Sequence, residues 1–171
     1  IGRIPKLVHD GFVGQIYSTE PTRELAAIML EDAVGIMEME AHRYGTQPIY
    51  NEADISTALA LWEGVGYHEP VTLGDNVSAT FTDAGHILGS AMVHLERNGK
   101  KVVVTGDLGN DPQPLLAPPE VPTDYDYLIM ESVYGNRNHE GRELRKEKLK
   151  EVLNKIIERR GTLLIPVFSL E

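Results

Sequence analysis

The chain contains no cysteine, which removes disulfide scaffolds, thiolate zinc sites and cysteine nucleophiles together. Any metal centre in it must use histidine and carboxylate. Basic residues are also scarce: 16 Lys and Arg stand against 26 Asp and Glu, a formal net charge of -10. That balance opposes broad, non-specific nucleic-acid binding, because neutralising phosphates takes clustered cations; a local basic groove is still compatible with it. No apolar run reaches membrane-spanning length and no signal peptide is visible, so a cytoplasmic protein with no membrane partner is expected. Internal repeats and low-complexity segments are absent as well. The chain opens at Ile1 instead of Met and stops at Glu171 just after an apolar run, which suggests a fragment.

What is present is the make-up of a folded globular protein. The 171 residues are 42% hydrophobic and 25% charged, enough for one ordinary domain or one domain and part of another. Residues 2–10 read as a short helix stopped by Gly11, and 15–18 as a short strand. A helix opened by Pro21 carries Leu25, Ile28, Met29 and Leu30 as its core stripe and runs past Gly35 to Tyr44. Another helix is expected from Asn51 to Val65. Strands at 71–73 and 77–81 flank a turn at Gly74-Asp75-Asn76. After a Pro-rich connection over 111–122, a short buried strand is expected at 126–130. The clearest helix runs from Glu143 to Arg160, with Leu149, Val152, Leu153, Ile156 and Ile157 in one stripe. An apolar strand is expected from Thr162 to Phe168.

The chemistry concentrates between Thr82 and Asn110. Ala91 to Glu96 and Lys101 to Val104 are β-prone runs separated by Asn98-Gly99, a strong two-residue hairpin signal because both turn positions need positive φ. His86 precedes the first run and Asp107 follows the second. An antiparallel pair would therefore bring these residues, 21 apart in sequence, to the same end of a sheet. A His and an Asp on neighbouring Gly-rich turns make a candidate pair of metal ligands. Taken singly, each has a plainer reading, His86 as a turn residue and Asp107 as a turn cap.

Glu131 follows an apolar strand and enters a Gly-containing loop, a frequent functional position in α/β folds, although a turn cap would look the same. His139, Arg137 and Arg142 lie in that loop, where they could meet an anionic substrate or simply be solvated. His9, His42, His68 and His94 read as surface or face residues. A hydrolytic zinc centre wants at least three protein ligands, and only two convincing ones are visible.

These segments resemble, in order, the β-CASP branch of the metallo-β-lactamase fold, the RNA-processing metallohydrolases. Ile1-Gly2-Arg3-Ile4-Pro5-Lys6-Leu7 is similar to the helix that follows the family's His-x-His-x-Asp-His motif. Thr82-Asp83-Ala84-Gly85-His86-Ile87-Leu88-Gly89-Ser90-Ala91 resembles its third motif, and Thr105-Gly106-Asp107-Leu108-Gly109-Asn110 its fourth. Glu131-Ser132-Val133-Tyr134-Gly135-Asn136-Arg137 resembles the first β-CASP motif, and Leu164 to Ser169 an early strand of the β-CASP insert.

The resemblance implies an α/β fold: part of an αββα sandwich over 1–131, then the first helix and strand of a β-CASP domain over 132–171. It implies hydrolysis of RNA phosphodiesters with two zinc ions in the full-length protein, His86 binding one and Asp107 bridging both. Glu131 would be the catalytic acid position, accepting a hydrogen bond from a ligand histidine and orienting it. DNA stays open as a substrate, and so does oligomer formation. Because the first metal motif and the later β-CASP histidines would lie outside the chain, the piece alone is expected to be inactive. Two rival readings are a small-molecule hydrolase on the same fold and a non-catalytic scaffold subunit. Retention of His86 and Asp107 speaks against the scaffold. The Glu131 motif with its following helix and strand speaks against the small-molecule enzyme.

Overall fold

The structure is a computed structural model that describes residues 1–111, 115–138 and 141–168. It divides into two compact units, Ile1–Met130 and Glu131–Glu171. Each is taken by itself.

The first unit begins with helix α1 (Ile4–His9), whose Pro5 presets a helical φ in the first turn, where no amide hydrogen is needed. Strand β1 (Ile16–Thr19) leads directly into helix α2 (Glu20–Tyr44), with Thr19 as its N-cap and left-handed Gly45 at its end. Helix α3 (Glu52–Ala60) opens on a capping box in which Asn51 and Asp54 satisfy each other's backbone amides. Strand β2 (Trp62–Val65) then pairs parallel with β1, Ile16 opposite Trp62 and Thr19 opposite Val65. The helix expected to reach Val65 therefore stops at Ala60. A parallel partner 46 residues upstream (62 − 16 = 46) claims the last four residues, and local periodicity carries no sign of such a partner. The indole Nε1 of Trp62 donates to Ser18 Oγ at 2.8 Å, and Arg23 Nε donates to the Trp62 carbonyl at 2.9 Å.

The α2 stripe differs from the expected one. Ala26, Leu30 and Val34 are buried, spaced four residues apart, and pack with Tyr50, Ile55 and Trp62. Ile28 is 67% exposed and Met29 46%. Positions 28, 29 and 30 are each about 100° apart around a helix, so one face cannot hold all three.

The second sheet has the order β3-β4-β5-β6-β7. β3 (Val71–Gly74), β4 (Val77–Asp83), β5 (Ala91–Arg97) and β6 (Lys100–Val104) form an antiparallel meander; β7 (Tyr127–Ile129) adds parallel to β6. Arg97 opposes Lys100, leaving Asn98 and Gly99 as a two-residue turn with φ of 51° and 74°. Met92, Val103 and Ala84 form its buried core. The strand expected to be buried at 126–130 exists as β7 but is exposed, with Tyr127 at 61% and Ile129 at 59%. Among the described residues it pairs on one side only, as an edge strand does.

In the second unit, helix α4 (Arg145–Arg159) follows a 3₁₀ turn at Arg142–Leu144. Its apolar stripe is formed as expected but uncovered: Leu149, Val152, Leu153 and Ile157 are all exposed. Residues 162–168 form no ladder among the described residues, and Leu164 is 85% exposed. A strand needs a neighbour for its backbone groups, and none is supplied here. His139, Ser169 and the side chain of Arg142 lie outside the described residues.

Replacing Leu30 with Ala should cost about 2–5 kcal/mol in chemical denaturation. Met29→Ala should stay within about 1 kcal/mol; equal losses would contradict the assigned helix face.

Candidate metal centre

β4 and β5 are joined by a loop from Ala84 to Ser90 that is held by many hydrogen bonds. The Asp83 carboxylate accepts from the Gly85 amide at 2.7 Å, the side-chain turn that favours Asp before a Gly. Ser90 Oγ accepts from the amides of His86 and Ile87 at 3.0 and 3.2 Å. The Ser90 carbonyl accepts from the Ala84 amide at 3.2 Å and from the Tyr67 hydroxyl at 2.9 Å. Thr19 and Thr22, at the start of α2, both donate to the Gly89 carbonyl, at 2.6 and 2.9 Å. Gly89 has φ of +81°, and a Cβ there would fall 2.8 Å from the Thr22 nitrogen. His86, partly buried, thus projects from a loop bolted to both sheets.

Burial, with the charges of Asp83 and Glu120 adding to it, pushes the Tyr67 phenol up to about 12. The hydroxyl therefore remains a donor to Ser90 throughout the neutral range.

The Asp107 turn leaves the end of β6. Thr105 is buried; its amide donates to the Ile129 carbonyl at 3.0 Å and its hydroxyl to the Gly106 carbonyl at 2.8 Å. Gly106 takes a φ of +57°, and Asp107 itself is exposed. Two residues on, the Gly109 amide donates to the Ala84 carbonyl at 2.8 Å. A Cβ on Gly109 would lie 1.6 Å from the Gly85 oxygen and 2.7 Å from the His86 nitrogen. Backbone therefore meets backbone between the two turns, an approach only glycine permits. Leu108 seals the junction against Ala84, Met92 and Val103.

The structure so brings the His86 and Asp107 turns together. Glu131 opens the second unit, partly exposed, two positions after β7. Arg137 stacks over the Tyr134 ring at 4.8 Å. His9 Nδ1 lies 3.0 Å from Asp54 Oδ2, and His68 Nε2 lies 3.3 Å from Glu120 Oε1. His94 Nε2 sits 2.9 Å from Thr82 Oγ1, and burial pulls its imidazole below the usual range. Sequence reasoning missed the loop's supports, namely Thr19, Thr22, Tyr67, Ser90 and Glu120. Of these only Ser90, four residues beyond His86, had a local signal.

An imidazole and a carboxylate on abutting turns suit a zinc ion chemically. Their number is short of a centre, and among the described residues no group of three or more His, Asp or Glu is placed to hold a metal.

No protein-family model matches the chain. It is 37% identical over 172 aligned positions to ribonuclease TTHA0252 of Thermus thermophilus, covering 100% of this chain and 38% of that protein. It is 34% identical to the cleavage and polyadenylation specificity factor 73 of Drosophila melanogaster, over 96% of this chain and 23% of the relative. The RNase J-like protein of Methanocaldococcus jannaschii is 34% identical over 91% of this chain and 35% of its own length. These relatives, by name a ribonuclease, an RNase J-like protein and a cleavage and polyadenylation factor, match over 91% or more of this chain, which is consistent with the β-CASP resemblance of its motifs. The chain spans less than two fifths of each of those relatives.

Gly109→Ala should destabilise the chain by more than about 2 kcal/mol, because two backbones must separate. Gly35→Ala, where a Cβ meets nothing within 4 Å in the interior of α2, should gain about 0.5–1 kcal/mol. Denaturation curves of both variants check the contrast.

Proposed function

We propose that this chain is part of a zinc-dependent ribonuclease, with His86 and Asp107 supplying two ligands of a centre that residues outside the chain complete. The observation that carries the reading is the contact of Gly85 with Gly109, which sets an imidazole and a carboxylate at one end of one sheet. Relatives named ribonuclease and RNase J-like support RNA as the substrate in preference to DNA.

In this scheme each residue of the chain has a stated task. His86 presents a ring nitrogen as a ligand, and the bonds from Ser90 to the loop amides hold its backbone while it does so. Asp107 offers two carboxylate oxygens, enough to bind two ions at once. Glu131 accepts a hydrogen bond from a ligand histidine and fixes that ring's orientation. Bound zinc would act as a Lewis acid on the scissile phosphate and lower the pKa of the attacking water. Arg137, held over Tyr134, offers a cation to the RNA backbone.

In the full-length protein, Asp107→Ala should lower zinc content and reduce cleavage of labelled RNA by at least roughly 100-fold, the upper range for losing even an outer partner of a ligand. Unchanged turnover would overturn the assignment. Elemental analysis of this chain alone should find weak or no zinc; two tightly held equivalents would show that its ligand set is larger than His86 and Asp107.

A further inference from the structure

Gly85 touches more than Gly109. A Cβ there would fall 2.6 Å from the Pro119 nitrogen and 2.9 Å from the Ala117 carbonyl oxygen, and Gly85 has φ of +61°. The backbone just before His86 therefore lies between two segments, 109 on one side and 117–119 on the other. The second is fastened by Glu120. Its amide donates to the Asp83 carbonyl at 2.9 Å, and its Oε1 accepts from the Asp83 amide at 2.8 Å. Both backbone groups of one residue at the exit of β4 are thus taken by one residue 37 positions later (120 − 83 = 37). Asp83 is then fixed on all sides, since its own carboxylate already caps Gly85.

We propose that Glu120 is a positioning residue for the metal site, setting the His86 turn against the Asp107 turn through its two bonds to Asp83. The inference rests on His86 and Asp107 being metal ligands. Among the described residues Glu120 bonds to Asp83 and lies beside His68, not His86 or Asp107, so its action runs through the backbone of 83–86. Two features make that route effective. The loop has no slack, because Gly85 is in backbone contact on both sides. Its far end is pinned independently by Thr19, Thr22 and Tyr67, so losing the side-chain bond to the Asp83 amide, while the Glu120 backbone bond stays, would loosen one end only and tilt the loop. The other neighbour, His68 Nε2 at 3.3 Å from Oε1, is a contact between side chains 63% and 39% exposed; a pair so open to water contributes little. Reach to the Asp83 amide, not charge, is the property of Glu120 that matters.

Two mild variants of the full-length protein separate reach from charge, with Asp107→Ala as the control on the zinc reading. Glu120→Gln keeps the length and an oxygen acceptor but loses the charge. Glu120→Asp keeps the charge and is one methylene too short. Zinc affinity is measured by chelator competition, and kcat and KM on labelled RNA. Glu120→Gln should match the parent. Glu120→Asp should bind zinc roughly tenfold more weakly, as loss of an orienting partner does, with kcat lowered and KM unchanged. Parental zinc affinity and kcat in Glu120→Asp, or a Gln variant as defective as the Asp one, would overturn the proposal while Asp107→Ala still lowered zinc binding. If Asp107→Ala changes neither zinc nor cleavage, the zinc assignment fails and this inference falls with it.

Discussion

The contact between Gly85 and Gly109 is the constraint around which the first unit is built. Two turns that leave different strands approach until carbonyl, amide and α-carbon touch, and no side chain fits between them. Hydrogen bonds from the Gly109 amide to the Ala84 carbonyl, and from the Gly85 amide to the Asp83 carboxylate, use the groups such an approach would otherwise bury unsatisfied. The apolar cluster of Ala84, Met92, Val103 and Leu108 lies directly below. Packing thus pulls the turns together, glycine lets them meet, and a histidine and an aspartate are presented as the consequence.

The helical half of the unit serves the same loop from the other side. Thr19 ends β1, caps α2 and donates to Gly89. One hydroxyl therefore links the parallel sheet, the helix start and the candidate ligand loop. The buried face of α2 against Tyr50, Ile55 and Trp62 holds that start in place. Precision at His86 is in this sense the product of a distant core, which suits a ligand whose orientation decides its affinity.

What could be read from the sequence was what is local. Asn98-Gly99 announced its turn because both residues tolerate positive φ, and the meander followed from alternation on either side. The long helices announced themselves by periodicity and by their capping and stop residues. Trp62 to Val65 did not, because four residues can continue a helix or begin a strand and the parallel partner that decides is β1, far upstream. Ile28 and Met29 were apolar yet exposed, since apolarity says nothing about which face is turned inward. Glu120 was invisible among prolines for the same reason as β2: its partner, Asp83, lies 37 positions away. At the other end of the chain, Leu164 to Phe168 reads as a strand in composition and makes no ladder among the described residues, because a strand is a property of two segments.

Turn chemistry and hairpin logic mark His86 and Asp107 as a candidate pair of metal ligands, and the family resemblance adds the expectation of two zinc ions. The contact between their turns supplies the physical reason that two residues 21 apart can act as one site. A structure of the zinc-loaded full-length protein, with the metal located by anomalous scattering, would put the account to its hardest test. It predicts a His86 ring nitrogen about 2.0–2.1 Å and an Asp107 carboxylate oxygen about 2.0–2.2 Å from zinc at a shared centre. Zinc bound with neither residue in its coordination sphere would contradict it.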